Sequence, residues 1–173
     1  YPEKLPEKGF LDHYAQRLNC VEINYTFRRL LSASTAENWV KSTSAGFLFA
    51  IKAHMRLTHI LRLKPSEFTG IFFRSIEPLR IAGRLGPVLF QLAPHQAADP
   101  ALLEEFLSTT PDDVRLAFEF RHPSWFSEDV YEVLRNHNAA MCLAESEKFE
   151  TPRVVTAPFV YSRLRRPAYG LEE

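Results

Sequence analysis

The chain has 173 residues, 46% of them hydrophobic, with 14 phenylalanines. That is ample for one packed core and short for two domains. Formal net charge is zero and the isoelectric point is near 7.2, which argues against a broad electrostatic grip on nucleic acid or an anionic membrane and leaves only local basic patches for such roles.

In chain order, residues 9–19 (GFLDHYAQRLN) place Phe10, Tyr14 and Leu18 on one stripe of an amphipathic helix. CVEINYTF follows as a strand. Ser34 is the expected cap of a helix over STAENWVKS, with Glu37 in capping-box position. GFLFAIKA is the next strand, and a long basic loop, HMRLTHILRLKP, leads to a helix from Ser66 to about Arg84 that Pro78 should kink or split. GPVLFQLAP reads as a strand, and DPALLEEFLSTTP as a short helix capped by Asp99 with Pro100 in its first turn. VRLAFEFR is a strand, HPSWFSEDVYEVLRNHN turns into a helix capped by Ser127, and AAMCLAE is a strand. A polar stretch, SEKFETPRVVTAP, precedes the last strand, FVYSRLR. No repeat, low-complexity tract or linker divides the chain, so residues 1–173 read as one domain.

Strand–helix alternation with connections of this length predicts an α/β protein with right-handed parallel crossovers. Neither G-x-G-x-x-G nor a P-loop follows an early strand. This favours a TIM-like (β/α) barrel over an open nucleotide-binding sheet and shows no nicotinamide or flavin site. A whole barrel runs to ~250 residues with eight strands, so six strands in 173 residues read as a barrel missing an end or two. It does not begin with Met and is taken as a segment of a longer protein. No apolar run approaches the ~20 residues needed to span a bilayer, and the polar opening is unlike a signal peptide. Cys20 and Cys142 are too few for a disulfide framework; they read as buried hydrophobes in a protein of a reducing, cytoplasmic setting.

Alternate residues of a strand face opposite ways. Glu22 and Asn24 share one face, Lys52 lies with Ala50 and Leu48, Gln91 with Leu89, and Ala117, Glu119 and Arg121 lie together. The opposite faces carry bulkier groups: Val21 and Ile23; Phe47, Phe49 and Ile51; Val88, Phe90 and Leu92; Leu116, Phe118 and Phe120. The bulky set should meet the helices, and the polar residues should point inward at the carboxyl edge, where parallel sheets keep their chemistry.

Three acids (Glu22, Glu119, Glu145) and three bases (Lys52, Arg121, Arg163) then converge on that edge. Buried charges are either mutually paired for structure or functional. In the functional reading one glutamate is a general acid or base while the cations hold an anionic group. The basic loop offers His54 and His59 near the same face, and the run RLRRP (Arg163 to Pro167) adds arginines where barrels often bind phosphate. EFRHPSW gathers Glu119, Arg121, His122 and Trp125 in one turn. There Trp125 either walls a ligand pocket or staples the following helix. Loop histidines with the glutamates offer zinc ligands, but no H-x-H, H-E-x-x-H or C-x-x-C spacing supports one, and no metal ligand is assigned.

YPEKLPEKGFLDHYAQRLNCVEINYTF, FAIKA with LTH shortly after, LGPVLFQLAP, AFEFRHPSWF and FVYSRL, in this order, resemble the domain-of-unknown-function 72 (YecE-like) family. The resemblance implies a TIM-like (β/α) barrel of bacterial and archaeal type, cytosolic, whose reaction is not established, and of which this chain lacks the first and last strands. It carries over motif positions at Glu22, Asn24, Phe27, Lys52, Thr58, His59, Gln91, Glu119, Arg121, His122, Trp125 and Arg163. The chain departs from the family pattern at Arg28, Leu31, Glu145 and Arg165, where the family usually has Tyr, Pro, Asp and His.

The resulting expectation is an enzyme, a hydrolase or lyase using acid–base chemistry on a small anion bearing phosphate or carboxylate. Glu22, Glu119 and Lys52 are the catalytic candidates. Asn24, His54, His59, Gln91, Arg121, His122, Trp125, Glu145, Arg163 and Arg165 are the binding candidates. The alternatives are a metal-dependent, nuclease-like or nucleic-acid-binding barrel, and a non-catalytic ligand-binding protein whose charges are simply paired.

Overall fold

The computed structural model describes residues 5–147 and 149–166. Pro167, at the end of the last basic run, lies outside them. The strands among these residues are β1 (Cys20–Ile23), β2 (Leu48–Lys52), β3 (Leu85–Gln91), β4 (Leu116–Glu119), β5 (Ala140–Ser146), β6 (Phe149–Glu150) and β7 (Tyr161–Leu164). The helices are α1 (Phe10–Ala15), α2 (Ala33–Lys41), α3 (Glu67–Ile81), α4 (Pro100–Leu107) and α5 (Glu128–Asn136). Strands β1 to β5 lie side by side in chain order and all parallel, β7 adds in parallel to β5, and β6 turns back antiparallel on β5.

The sheet is curled into a half-barrel. Strands in a ladder are spaced by about 4.8 Å, so β1 and β7 would stand about 24 Å apart in a flat sheet. Instead the Tyr161 hydroxyl on β7 donates to Glu22 Oε2 on β1 across 2.8 Å. Among the described residues the two strands share no backbone ladder; only side chains cross between them.

The convex face carries the main core. Phe47, Phe49, Ile51, Val88, Phe90, Phe118 and Phe120 from the strands meet Phe72, Ile76, Leu79, Leu103, Phe106, Val130 and Leu134 from α3, α4 and α5. The concave face is lined by small groups, Leu89, Ala117, Ala140, Cys142 and Ala144, against which Ala157, Phe159 and Tyr161 pack. Large outside and small inside is what curvature demands: the concave face has less area per residue, and a phenylalanine there would fill the space the polar layer occupies. Between β5 and β7, threonine hydroxyls stand in for ladder partners. Thr156 Oγ1 donates to Ala139 O (2.7 Å) and accepts from Met141 N (2.8 Å), and Thr151 Oγ1 accepts from Ala144 N (3.0 Å).

Several local expectations are corrected. The strand predicted through Phe27 stops at Ile23 and gives way to a 3₁₀ turn over Tyr25–Phe27. Thr26 fixes that turn, its Oγ1 lying 2.7 Å from Lys52 O and 3.1 Å from Ile23 O. The cap of α2 is Ser32, not Ser34; its Oγ accepts from Thr35 N at 3.2 Å. Helix α3 ends at Ile81 and runs through Pro78 without splitting, the missing donor leaving only the Arg74 carbonyl, on the solvent side, unserved. The basic loop contains one turn of π-helix over Arg56–Ile60, followed by left-handed residues Arg62 (φ 52°) and Leu63 (φ 68°). Asp99 caps α4 as expected, accepting from Leu102 N at 3.0 Å.

One buried cation holds the entry to β2. Arg84, buried in the loop before β3, donates to Phe47 O (3.0 Å), Thr43 O (2.9 Å) and Ser44 O. Its planar fork replaces a missing acid partner with three carbonyl dipoles. Replacing it with methionine should remove this clamp and leave carbonyls unserved, lowering unfolding stability by about 2–3 kcal/mol. Urea denaturation should show a lower midpoint at constant m-value, and Arg84→Lys should recover only part of the loss.

Candidate functional site

Above the small-residue floor, at the carboxyl ends of the strands, the inward polar side chains form one connected network. Glu22 accepts from Arg163 Nε (2.9 Å) and Nη2 (2.7 Å), from the Tyr161 hydroxyl (2.8 Å) and from Asn24 Nδ2 (3.1 Å). Arg163 turns its Nη1 to Glu119 Oε2. Glu119 Oε1 accepts from Gln91 Nε2 (2.7 Å) and Arg121 Nε (3.1 Å). The Gln91 Oε1 in turn accepts from Lys52 Nζ at 2.8 Å. The register explains the order: Gln91 sits directly opposite Glu119 on neighbouring parallel strands, and Arg163 pairs with Ala144, a residue too small to obstruct its side chain.

Burial works against the Arg163 charge, but the hydrogen bonds and fields of Glu22 and Glu119 prevail and hold its pKa above the usual arginine value. Burial, then the Glu22 charge, pushes the Tyr161 phenol well above its usual range, so it donates. Lys52 differs. Burial and the Arg163 charge lower its pKa, only partly opposed by Glu119 and Glu22. Its ammonium has a neutral amide for its hydrogen-bond partner and lies 4.3 Å from the centre of the Phe27 ring.

A cleft of about 520 Å³ opens beside Glu119, lined by Pro94, Arg121, Ala144, Glu145, Ser146, Phe149, Arg163 and Arg165. Arg121 bonds Glu119 through Nε, and among the described residues its Nη groups meet no partner. The Arg165 side chain likewise meets none, its backbone N–H donating to Glu145 O at 2.9 Å. Glu145 is paired with Arg166, which also approaches Glu150 at 3.6 Å. Cations therefore face an open space whose carboxylates are already engaged, an arrangement suited to a small anion.

The histidines and the tryptophan divide differently from expectation. His59 stands at the rim: its ring packs edge-on against Phe27 at 5.2 Å, and its Nδ1 lies 2.8 Å from Thr58 Oγ1. Burial and then the Lys52, Arg121 and His95 charges lower its pKa, favouring neutral imidazole. His54 lies outside the network; its Nδ1 accepts from Arg56 N at 3.0 Å and its ring meets Phe68 at 5.2 Å. His122 caps the Pro123–Trp125 turn through Ser124. Trp125 as a pocket wall is corrected: it is 1% exposed, stacked on Phe120 at 4.5 Å and 4°, with Nε1 donating to Gln96 O at 2.8 Å. Its large apolar ring is better served by the core than by a wet cleft. Tyr161 and Phe149 were missed. Tyr161 stands two residues before Arg163 and so faces the same way, a signal present in the sequence; Phe149 depends on the β5–β6 hairpin, which nothing announces.

Among the described residues no group of three or more His, Cys, Asp or Glu is placed to hold a metal, and no helix is long and apolar enough to cross a membrane.

The fold and site define an α/β half-barrel with an ionic network at the carboxyl rim of its parallel strands. The chain belongs to the DUF72 family, described as a protein family of unknown function, whose model matches residues 1–172. It is 31% identical over 140 residues to the UPF0759 protein YunF of Bacillus subtilis (strain 168), covering 76% of this chain and 49% of that protein. It is 29% identical over 128 residues to the UPF0759 protein YecE of Escherichia coli (strain K12), covering 73% and 46%. The chain thus spans about half the length of the curated relatives it matches. Among solved structures, a DUF72 family protein from Thermotoga maritima MSB8 superposes with a TM-score of 0.82 at 30% identity, over 95% of this chain and 67% of that one. One from Enterococcus faecalis V583 gives 0.76 at 20% identity, over 90% and 68%, a likeness of fold alone.

Two predictions follow from the geometry. Arg163→Ala leaves Glu119, 3% exposed, without its strongest partner. Removing one side of a buried pair costs about 3–5 kcal/mol, and denaturation should show a loss of that order, well above that of Arg121→Ala, whose side chain is a third exposed. For Lys52, the unfolded chain holds its proton up to about pH 10.4, whereas the folded site releases it earlier. Between the two values the unfolded state binds more protons, so this group makes folding more favourable as pH rises. Lys52→Met should remove that dependence: the stability difference between wild type and variant, measured by denaturation from pH 7 to 10, should shift toward wild type with increasing pH.

Proposed function

We propose that this chain supplies the catalytic rim of a TIM-like (β/α)-barrel enzyme, a hydrolase or lyase that uses acid–base chemistry on a small substrate bearing phosphate or carboxylate. The observation that carries the reading is the cleft beside Glu119, where, among the described residues, Arg121 and Arg165 keep guanidinium donors unengaged while the neighbouring carboxylates are bonded. In this reading Arg121, Arg163 and Arg165 hold the anion. Glu119 faces the cleft and exchanges a proton with the substrate, and Lys52 is linked to it through Gln91. Glu22, saturated by four hydrogen bonds, positions Arg163. Asn24 completes that cap, and Glu145 orients Arg166 rather than the substrate. Cys142 is buried as expected, whereas Cys20, at the open edge where β1 begins, is exposed; both thiols are free, which suits a bacterial cytoplasm.

Calorimetric titration with inorganic phosphate at low salt tests the anion site. Arg121→Ala with Arg165→Ala should weaken binding about tenfold or more, each lost charge-assisted contact being worth about 1.5–3 kcal/mol. A screen of phosphate- and carboxylate-bearing esters and hydroxy acids tests the chemistry: Glu119→Gln should lower any turnover by about 10²–10⁴-fold while the protein stays folded. Phosphate affinity equal in wild type and the double arginine variant, or turnover indifferent to Glu119→Gln, would leave a protein whose charges serve structure alone.

A further inference from the structure

Lys52 has a setting that the acid–base reading does not use. Its Nζ reaches no carboxylate within ion-pair distance among the described residues; its hydrogen bond goes to the side-chain carbonyl of Gln91 at 2.8 Å, and the Phe27 ring lies 4.3 Å beneath it. Glu119, at the other end of the Gln91 amide, is engaged by Gln91, Arg121 and Arg163. The charged groups that act on Lys52 are Arg163 and Arg121, against it, and Glu119 and Glu22, in its favour. Exposed lysines elsewhere in the chain, Lys8, Lys41 and Lys64, have no such enclosure.

We propose that Lys52 is a nucleophilic amine that captures the carbonyl carbon of a small aldehyde or keto compound as an imine, the compound's carboxylate or phosphate being held by the cleft arginines. The substrate class, an anionic carbonyl compound, rests on the anion-binding reading given above. In the capture step the neutral amine's lone pair forms a C–N bond to the carbonyl carbon, and the oxygen takes up a proton to give a carbinolamine. The C–O bond then breaks, the hydroxyl leaves as water after taking a second proton, and the nitrogen, which has shed one, is left as the iminium, or as the imine once it sheds its other proton. No oxidant or reductant is consumed. The neutral amine is the form that can attack, and burial beside the Arg163 guanidinium disfavours the charged form. His59, packed on the same Phe27 ring and favoured as neutral imidazole, is suited to carry the protons.

Reductive trapping tests this. The protein is incubated with pyruvate, glyoxylate or glycolaldehyde phosphate and cyanoborohydride, digested, and each lysine's adduct measured by mass spectrometry. Lys52 should be modified about tenfold faster or more than Lys8, Lys41 and Lys64, a modest part of what holding a reactant beside its nucleophile can give. Excess inorganic phosphate should slow Lys52 and spare the others. Because the surface lysines of the same sample are the controls, the result does not depend on any variant folding. Labelling of Lys52 no faster than Lys64 with all three carbonyl compounds overturns the inference. If phosphate binding still depends on Arg121 and Arg165 in that case, the acid–base reading stands without it. If phosphate binding is indifferent to those arginines, the anion site itself fails, and Lys52 labelling unaffected by phosphate would say the same.

Discussion

The rest of the structure depends on one guanidinium. Arg163 reaches from the last strand of the curled sheet to Glu22 on the first and to Glu119 near the middle, using Nε and both Nη groups. Such a fork has a fixed, planar geometry, so it is satisfied only when β1, β4 and β7 stand in one relation. A buried ion pair seldom adds much net stability, because desolvation offsets most of the attraction. What it does here is select a curvature: any flatter sheet would leave the Arg163 cation buried without its two carboxylates and take from each of them its guanidinium partner.

Among the described residues the charges at the rim do not cancel. Glu22 and Glu119 face Arg163, Arg121 and Lys52, while Arg165 stands nearby and Glu145 is engaged by Arg166. In a partly enclosed space of low dielectric this surplus of positive charge is felt more strongly than in water. Burial works against two cations of the same network, with opposite outcomes. Arg163 lies against two carboxylates and holds its proton more firmly than usual, whereas Lys52 lies one amide away from them and holds its own less firmly.

The period-two alternation of the strands was the legible part. It separated Phe47, Phe49, Ile51, Phe118 and Phe120 from Lys52, Gln91 and Glu119, and the two sets do lie on opposite faces. The polar layer could be read because buried strands rarely carry such residues without reason. What could not be read depends on contacts between segments distant in sequence. Trp125 was expected beside a ligand because of its neighbours in the chain, but its place is decided by Phe120 below and the Gln96 carbonyl beside it. Thr26 ends β1 early by reaching the backbone of β2. His54 and His59 look alike in sequence, yet the π-turn that separates them sends one toward Phe68 and the other toward Phe27. Pro78 was expected to kink or split α3, yet the helix is not split there and runs on to Ile81.

Gln91 has a consequence beyond its two hydrogen bonds. A primary amide is asymmetric: its oxygen end accepts only and its nitrogen end donates only. With Lys52 on one side and Glu119 on the other, the amide has a single sensible orientation, and it cannot rotate without setting donor against donor and acceptor against acceptor. It therefore works as an insulating spacer between opposite charges, keeping them close enough to sense each other and too far apart to collapse into contact. A carboxylate at the same place would short-circuit that gap, and the tension between the two sides of the rim would disappear.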